Sequence, residues 1–187
     1  MSHLHVESNT KWIFLFWGEE LWKRIDRSLF ASSIAQLTHL LTFEQVQKRF
    51  LELEEKIALS YMARLLAKKS FFSWELQQRL IGKGFSKESF QLACSFFQEK
   101  GVIDDQTRAG YLLERGLKRG RGPRRIQAGW KEEVEVDPQE QRKAIFRAIE
   151  KKKLQPLDWK GKKKLYCFLL QRGFDASLVE EILADFS

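Results

Sequence analysis

The sequence has few of the residues that interrupt helices and few that build metal or disulfide sites. Its 187 residues include three prolines, eleven glycines, two cysteines and three histidines. The cysteines, Cys94 and Cys167, have neither a CxxC spacing nor a Cys/His metal spacing, which argues against structural zinc and a disulfide framework. Both lie in apolar helical patterns, so we expect two buried thiols in a reducing, cytoplasmic environment.

Long hydrophobic runs are also missing. The apolar run Trp12–Trp17 has six residues, whereas a helix that spans a bilayer needs about 20. No signal-peptide layout precedes this run. We therefore expect no membrane among the partners of this protein.

Motifs for catalysis are absent as well. His3, His5 and His39 are scattered, and the sequence contains no Walker loop, nucleophile elbow or glycine-rich phosphate fingerprint. The pair Asp104-Asp105 suggests a metal site, but a helix cap is the better interpretation of this pair. We expect a protein that is not an enzyme, with no catalytic, cofactor-binding or metal-binding residues.

Charge is plentiful but unevenly distributed. The formal net charge is +8, of which residues 1–114 carry +1 and residues 115–187 carry +7. Hydrophobic residues make up 43% of the chain, which is enough apolar surface for a folded core. The basic C-terminal part predicts a partner that is a polyanion or an acidic protein surface.

The first 30 residues predict strands. Three short segments rich in β-branched and aromatic residues, HLHVE, KWIFLFWG and LWKRID, are separated by turn residues. This pattern predicts a small antiparallel meander of two or three strands. We expect the aromatic side chains of Trp12, Phe14, Phe16 and Trp17 to cover a helix. Stacking on nucleic-acid bases is the alternative, disfavoured because this segment has few basic residues.

From Thr42 onward the hydrophobic spacing is helical. Thr42 and Gln45 form a capping-box signature, and an apolar stripe follows at Phe43, Val46, Phe50, Leu53 and Ile57. This pattern predicts a helix that ends near Lys68. The polar residues Glu52, Glu54, Glu55 and Lys56 are expected on its solvated face.

Two shorter helices are expected next. Ser73 and Ser86 are predicted to be their N-caps, and Gly84 is predicted to take a left-handed turn conformation between them. Trp74 and Trp130 would be candidate partner anchors if they were exposed. The core is expected to include Phe71, Phe72, Phe85, Phe96, Phe97, Phe168 and Phe174.

An internal repeat joins the two ends of the helical part. LIGKGFS at 80–86 matches LLQRGFD at 169–175 with an offset of 89 residues. At this offset apolar residues meet at four further pairs: Leu76 and Leu165, Phe90 and Val179, Ala93 and Ile182, Phe97 and Phe186. A third, degenerate unit lies between them, in which Asp137 is predicted to cap a helix that begins at Pro138 and runs to about residue 153.

We therefore predict a mainly α fold, in which tandem three-helix repeats form an elongated array behind a small N-terminal β-meander. The predicted division has four parts. They are a strand-rich segment (1–41), a first repeat with its lead-in helix (42–105), a degenerate second repeat (106–137) and a third repeat (138–187).

The stretch RGLKRGRGPRRIQAGWK, residues 115–131, holds seven basic residues and no acidic one. Pro123 follows Gly122 and suits the first position of a helix, where its missing N–H costs nothing. We therefore expect a loop and a first helical turn in an ordered domain. The candidate binding residues are Arg115, Lys118, Arg119, Arg121, Arg124, Arg125 and Lys131, although a solvated basic face is an equally good interpretation of any one of them.

Several segments together resemble the RecX family, the bacterial regulators of RecA recombinase. They are ALSYMARLLAKKSFFSWELQQRLIGKGFS (58–86), EKGVIDD (99–105), KRGRGPRRI (118–126) and LYCFLLQRGFDASLVEEIL (165–183). The likeness covers about residues 43–187, in one order and at nearly the family's spacing. Each motif is weak alone, and the specificity comes from their order.

The resemblance implies a function. RecX-like proteins are helical, cytosolic and not enzymes. They bind the RecA–DNA filament along its groove and inhibit its ATPase, strand-exchange and co-protease activities, and some bind DNA directly. Single- or double-stranded DNA is therefore a further candidate partner of this chain. The expected partner is thus the RecA filament, in recombination, DNA repair and the SOS response, and we expect a monomer without cofactors.

An alternative function rests on a second basic cluster. Its members are Lys151, Lys152, Lys153, Lys160, Lys162, Lys163 and Lys164. A solvated helix end and linker explains them first, because lysines near a helix C-terminus are favoured by the helix dipole. They also suit a helical protein that binds DNA without sequence specificity.

Overall fold

The computed structural model describes residues 3–131, 133–152 and 159–185. The chain divides into two compact units, Met1–Asp105 and Gln106–Ser187. None of the described helices is both long enough and apolar enough to cross a lipid bilayer.

The predicted meander is confirmed as a three-stranded antiparallel sheet with strands in chain order. The strands are β1 (Leu4–Ser8), β2 (Trp12–Trp17) and β3 (Glu20–Asp26). The first turn is stabilised by the Asn9 side chain, whose Oδ1 accepts hydrogen bonds from the backbone N–H groups of Lys11 and Trp12. An Asx turn of this kind is the reason that asparagine favours such positions.

The two faces of the sheet differ from the expectation. Ile13 and Leu15 of β2 are buried in the core, whereas Trp12, Phe14 and Phe16 alternate with them and are half-buried on the opposite face. The prediction that these three aromatic residues cover a helix is therefore wrong, because successive side chains of a strand point to opposite faces.

The other aromatic residues of the sheet do pack against a helix. The Trp17 ring lies 5.1 Å from the ring of Phe43, as predicted. A register shift opposite Leu15 and Phe16 lets Trp22 reach the rings of Phe43 and Phe50 as well.

Four helices follow the sheet in the first unit. They are α1 (Arg27–Phe30), α2 (Phe43–Leu66), α3 (Ser73–Ile81) and α4 (Lys87–Glu99), with a 3-10 turn at Ile34–Gln36. The Thr42–Gln45 capping box and the Ser86 cap are confirmed. Ser73 is not a cap, since α3 begins with it and its N–H and hydroxyl donate to the Asp105 carboxylate at 2.8 and 2.6 Å.

The core of the first unit joins the sheet to α2, α3 and α4. Phe71, Phe72, Phe85 and Phe97 are buried in this unit as expected. Two expectations are wrong here. The Phe96 side chain is 42% exposed, and Glu54, expected on a solvated face, is 1% exposed.

The second unit contains the remaining helices. Helix α5 (Asp105–Lys118) begins at the last residue of the first unit, followed by α6 (Pro123–Ile126), α7 (Pro138–Lys152), α8 (Trp159–Gln171) and α9 (Ala176–Ala184). The predicted cap of α7 is confirmed, because the Asp137 carboxylate accepts a hydrogen bond from the Gln139 N–H. Cys94 is buried as predicted, but Cys167 is exposed on α8, so its predicted burial is wrong.

The residues matched by the repeat occupy equivalent places in the two cores. Leu76, Leu80, Phe85, Phe90 and Ala93 are buried in the first unit, and Leu165, Leu169, Phe174, Val179 and Ile182 are buried in the second. The last predicted pair includes Phe186, which lies outside the described residues. Gly84 and Gly173 both have a positive φ, of 91° and 87°, which confirms the turn predicted at Gly84.

Candidate functional site

The basic stretch 115–131 is ordered and takes three local conformations. Residues 115–118 form the last turn of α5, rather than the expected loop, and a short connection leads to Pro123. Pro123 is the first residue of α6 as predicted, but α6 is only one turn long. The rest of the stretch, as far as Lys131, has no regular structure.

All seven candidate binding residues are exposed: Arg115, Lys118, Arg119, Arg121, Arg124, Arg125 and Lys131. Exposure is necessary for a binding role, but it is also the ordinary state of arginine and lysine. The contacts of each side chain therefore decide which of them are available to a partner.

Four of the arginines line one cleft between α5 and α6. Arg115, Arg119, Arg121 and Arg125 surround a volume of about 280 Å³, together with Leu112, Gly116 and Ile126. The floor depends on Gly116, because a Cβ atom there would lie 2.5 Å from the Ile126 side chain. The absence of a side chain at this position lets α6 approach α5, which brings Arg125 close to the arginines of α5.

The cleft concentrates positive charge. The carbonyl end of α5 favours the cations of its last turn, which explains Arg115 as part of an ordinary helix end. Among the described residues, however, the side chains of Arg115, Arg119 and Arg121 make no hydrogen bond or ion pair with one another or with a carboxylate. An anion in this cleft would relieve their mutual repulsion, and the guanidinium group suits a carboxylate or phosphate.

Three other candidates have partners within the second unit. Lys118 is paired with Glu114 one turn earlier, and this ion pair lowers the pKa of the Glu114 carboxyl. Arg124 forms an ion pair with Asp175, and the Arg125 Nη1 donates to the backbone carbonyl of Gln171 at 2.9 Å. Both arginines thus stabilise the junction of α8 and α9 and are less available than Arg119 and Arg121.

The backbone of the basic stretch is docked on the turn around Gly173. The Gly122 N–H donates to the Arg172 carbonyl at 2.8 Å, and the Arg124 N–H donates to the Gly173 carbonyl at 3.1 Å. A Cβ atom at Gly122 would lie 2.2 Å from the Gly173 carbonyl carbon. These contacts fix the position of the arginines, and the sequence pattern did not indicate them.

The second basic cluster lines a neighbouring cleft of about 630 Å³ along α8. Lys152, Lys160, Lys163 and Lys164 surround it, together with Cys167, Phe168 and Gln171. The two basic clusters also meet, because the Lys151 Nζ donates to the Lys118 carbonyl at 3.4 Å. Lys153, the remaining lysine of the α7 end, lies outside the described residues.

Within the described part of the chain, no three His, Cys, Asp or Glu side chains are arranged to hold a metal ion. The Asp104-Asp105 pair is explained by local structure, since Asp105 binds Ser73 and begins α5. Trp74 and Trp130 are half-buried rather than exposed.

The chain is similar to known regulatory proteins, although no family model matches it. It is 34% identical over 139 residues to Regulatory protein RecX of Thermotoga sp. (strain RQ2), covering 70% of this chain and 85% of the relative. It is 30% identical over 130 residues to Regulatory protein RecX of Actinobacillus pleuropneumoniae serotype 5b (strain L20), covering 63% and 84%. A crystal structure of regulatory protein RecX, 14% identical, covers 99% of this chain and 100% of its own with a TM-score of 0.57, which supports the mainly helical fold.

Proposed function

Because this chain belongs to the RecX family of regulatory proteins, we propose that it binds the RecA–DNA filament and inhibits the RecA ATPase, strand-exchange and co-protease activities. It would thereby act in recombination, DNA repair and the SOS response, in the cytoplasm and without catalytic chemistry of its own.

Besides family membership, the arginine-lined cleft supports this proposal. Arg115, Arg119 and Arg121 are exposed and have no carboxylate partner among the described residues, while docking on the Gly173 turn fixes the basic stretch that carries them. A preformed cluster of guanidinium groups binds carboxylates of a protein surface or phosphates at a small entropic cost. An acidic patch of the filament is therefore the ligand that we assign to the cleft.

The test is ATP hydrolysis by RecA on single-stranded DNA, with this protein added well below one copy per RecA. We expect the unaltered protein to inhibit hydrolysis. We expect the Arg119→Gln/Arg121→Gln variant to need a roughly tenfold higher concentration for the same inhibition, because losing a charged partner costs on the order of 1–3 kcal/mol. Both glutamines keep much of the side-chain length, so the fold should not change.

The matched control is Lys56→Gln/Lys87→Gln, which removes the same charge from exposed positions of the first unit. This control should inhibit like the unaltered protein. An equal loss of inhibition in both variants would mean that inhibition depends only on the net charge of the protein. Full inhibition by a folded Arg119→Gln/Arg121→Gln variant would remove the cleft from the proposal.

The lysine-lined cleft of α8 favours a second candidate function, DNA binding without sequence specificity. This function differs from filament binding in its salt dependence, because binding to phosphates releases counterions and weakens steeply as salt rises. Inhibition of RecA that persists at higher salt and at substoichiometric ratios would support filament binding. Inhibition confined to low salt and to protein concentrations that coat the DNA would support the alternative.

A further inference from the structure

The outer face of the N-terminal sheet carries a row of aromatic side chains that the core does not use. Trp12, Phe14 and Phe16 lie at alternate positions of the central strand β2, and all three are half-buried. Residues two apart on a strand are separated by roughly 7 Å. Phe14 and Phe16 are therefore neighbouring rings on this face, and the Phe16 ring lies 6.0 Å from the ring of His5. Beside them the Leu21 side chain is 54% exposed.

Cations border one end of this row. The Arg24 guanidinium lies 4.6 Å from the centre of the Trp12 ring, and the Lys11 ammonium lies 5.2 Å from it. Arg27 is held beside them, because its Nη1 donates to the Asn9 carbonyl at 3.0 Å. Lys11, Arg24 and Arg27 are exposed, so their charges are available to an anion.

The acidic groups near this face are largely engaged. Asp26 at the end of β3 is 3% exposed, and its carboxylate accepts a hydrogen bond from the Lys83 Nζ at 2.7 Å. Glu7, which pairs with Phe14 across the sheet, contacts the ring nitrogen of His5 at 3.2 Å. The face thus combines aromatic rings with an excess of exposed cations at its Trp12 end.

We propose that the outer face of the β1–β3 sheet binds single-stranded DNA, with bases stacked on Phe14 and Phe16 and the backbone phosphates near Lys11, Arg24 and Arg27. Aromatic rings beside cations are the arrangement by which proteins bind single strands without reading their sequence. Duplex DNA does not fit the face equally well, because its bases are already stacked on each other. The choice of DNA rather than RNA rests on the proposed function at the RecA–DNA filament.

The test is fluorescence anisotropy of a labelled oligo-dT with the full chain at about 0.15 M salt, in the absence of RecA. The variant is Phe14→Leu/Phe16→Leu, which keeps apolar side chains on the sheet and removes both rings. We expect its affinity for oligo-dT to fall by at least about tenfold, because stacking of bases on aromatic rings contributes strongly to single-strand binding. Its affinity for a DNA hairpin duplex should stay unchanged.

The control is Phe96→Leu/Tyr111→Leu, which removes two exposed aromatic rings elsewhere and should leave oligo-dT binding unchanged. If Phe14→Leu/Phe16→Leu lost equal affinity for oligo-dT and the duplex, or no affinity for either, the proposal would be overturned. A change of oligomeric state with unaltered oligo-dT binding would also overturn it and make the face an interface between copies of the chain. Tighter binding of oligo-U than of oligo-dT would overturn the assignment to DNA. Since RecA is absent, none of these outcomes depends on whether the protein inhibits the filament.

Discussion

Two glycines at equivalent positions of the repeat dock their turns on other segments. Next to Gly84, the Lys83 carbonyl accepts a hydrogen bond from the Asp26 N–H at 2.9 Å. Next to Gly173, the Arg172 carbonyl accepts a hydrogen bond from the Gly122 N–H at 2.8 Å. The same turn thus holds the sheet in the first unit and the basic stretch in the second, which gives the Gly-Phe motif a role beyond ending a helix.

This docking makes Gly84 more sensitive to substitution than its backbone angle alone requires. A Cβ atom at Gly84 would lie 2.2 Å from the Arg24 carbonyl oxygen. Gly101 has a comparable positive φ of 66° with no atom within 4 Å of a Cβ. We therefore expect Gly84→Val to lower the free energy of unfolding by about 2 kcal/mol or more beyond the loss in Gly101→Val. Urea denaturation of both variants, followed by tryptophan fluorescence, measures the difference.

Equal destabilisation of the two glycine variants would show that the left-handed conformation alone sets the cost and that the contact with β3 contributes little. The positive φ at Gly84 was predictable from sequence, because glycine between two helices commonly takes it. The contact was not, since Arg24 lies 60 residues earlier and no local pattern relates it to the turn.

The arginines of the basic stretch show the same limit of prediction from sequence. Their charge and exposure follow from the sequence, and so does the helix start at Pro123. The sequence does not separate Arg124, which is paired with Asp175, from Arg119 and Arg121. Fifty-one positions separate the members of this ion pair, so only the folded chain reveals which guanidinium groups stay available.

Among the helices, a buried glutamate of α2 reinforces the local Ser86 cap at the start of α4. The Glu54 carboxylate accepts hydrogen bonds from the Ser86 N–H at 2.9 Å, the Ser86 hydroxyl at 2.6 Å and the Ser89 hydroxyl at 2.7 Å. A negative charge at a helix N-terminus is favoured by the helix dipole. This network joins the middle of α2 to the end of the Gly84 turn.

We expect Glu54→Ala to lower the free energy of unfolding by about 2–4 kcal/mol, because it leaves buried donors without an acceptor. Glu52→Ala is the matched control, since Glu52 lies on the same helix and makes only an exposed ion pair with Arg49. Its effect should be below about 1 kcal/mol. Chemical denaturation compares the two variants. Similar losses of unfolding free energy would contradict a structural role for the buried network.

Glu54 also shows why the helix faces were only partly predictable. The apolar stripe of α2 correctly placed Val46, Phe50 and Leu53 in the core. Hydrophobic periodicity assigns every carboxylate to the solvated face, whereas Glu54 is buried because Ser86 and Ser89 supply its hydrogen bonds. In the sheet the error was the reverse, because Trp12, Phe14 and Phe16 were expected to cover a helix but lie on the face opposite the core. Aromatic content alone does not tell which face of a strand is covered.

Much of the positive charge that the sequence places after residue 114 lines two neighbouring clefts of the second unit. The arginine-lined cleft is small and is fixed by backbone hydrogen bonds to the Gly173 turn. The lysine-lined cleft is larger and is bordered by the exposed Cys167 and by Phe168. Lysine is a flexible, strongly hydrated charge, whereas arginine makes directional paired hydrogen bonds. This difference suggests separate tasks, with phosphates of DNA at the lysines and acidic protein groups at the arginines.

A variant of the lysine-lined cleft separates these two tasks within one protein. We expect Lys160→Gln/Lys163→Gln/Lys164→Gln to weaken binding to duplex DNA and to reduce the slope of log affinity against log salt by roughly 1 for each lysine that contacts a phosphate. Substoichiometric inhibition of the RecA ATPase should change by less than about twofold. The control Lys48→Gln/Lys56→Gln/Lys87→Gln removes the same charge from exposed positions of the first unit and should leave the salt slope unchanged. If DNA binding and RecA inhibition fell together in the α8 variant, the protein would act on RecA through DNA, and the separate role of the arginine-lined cleft would be wrong.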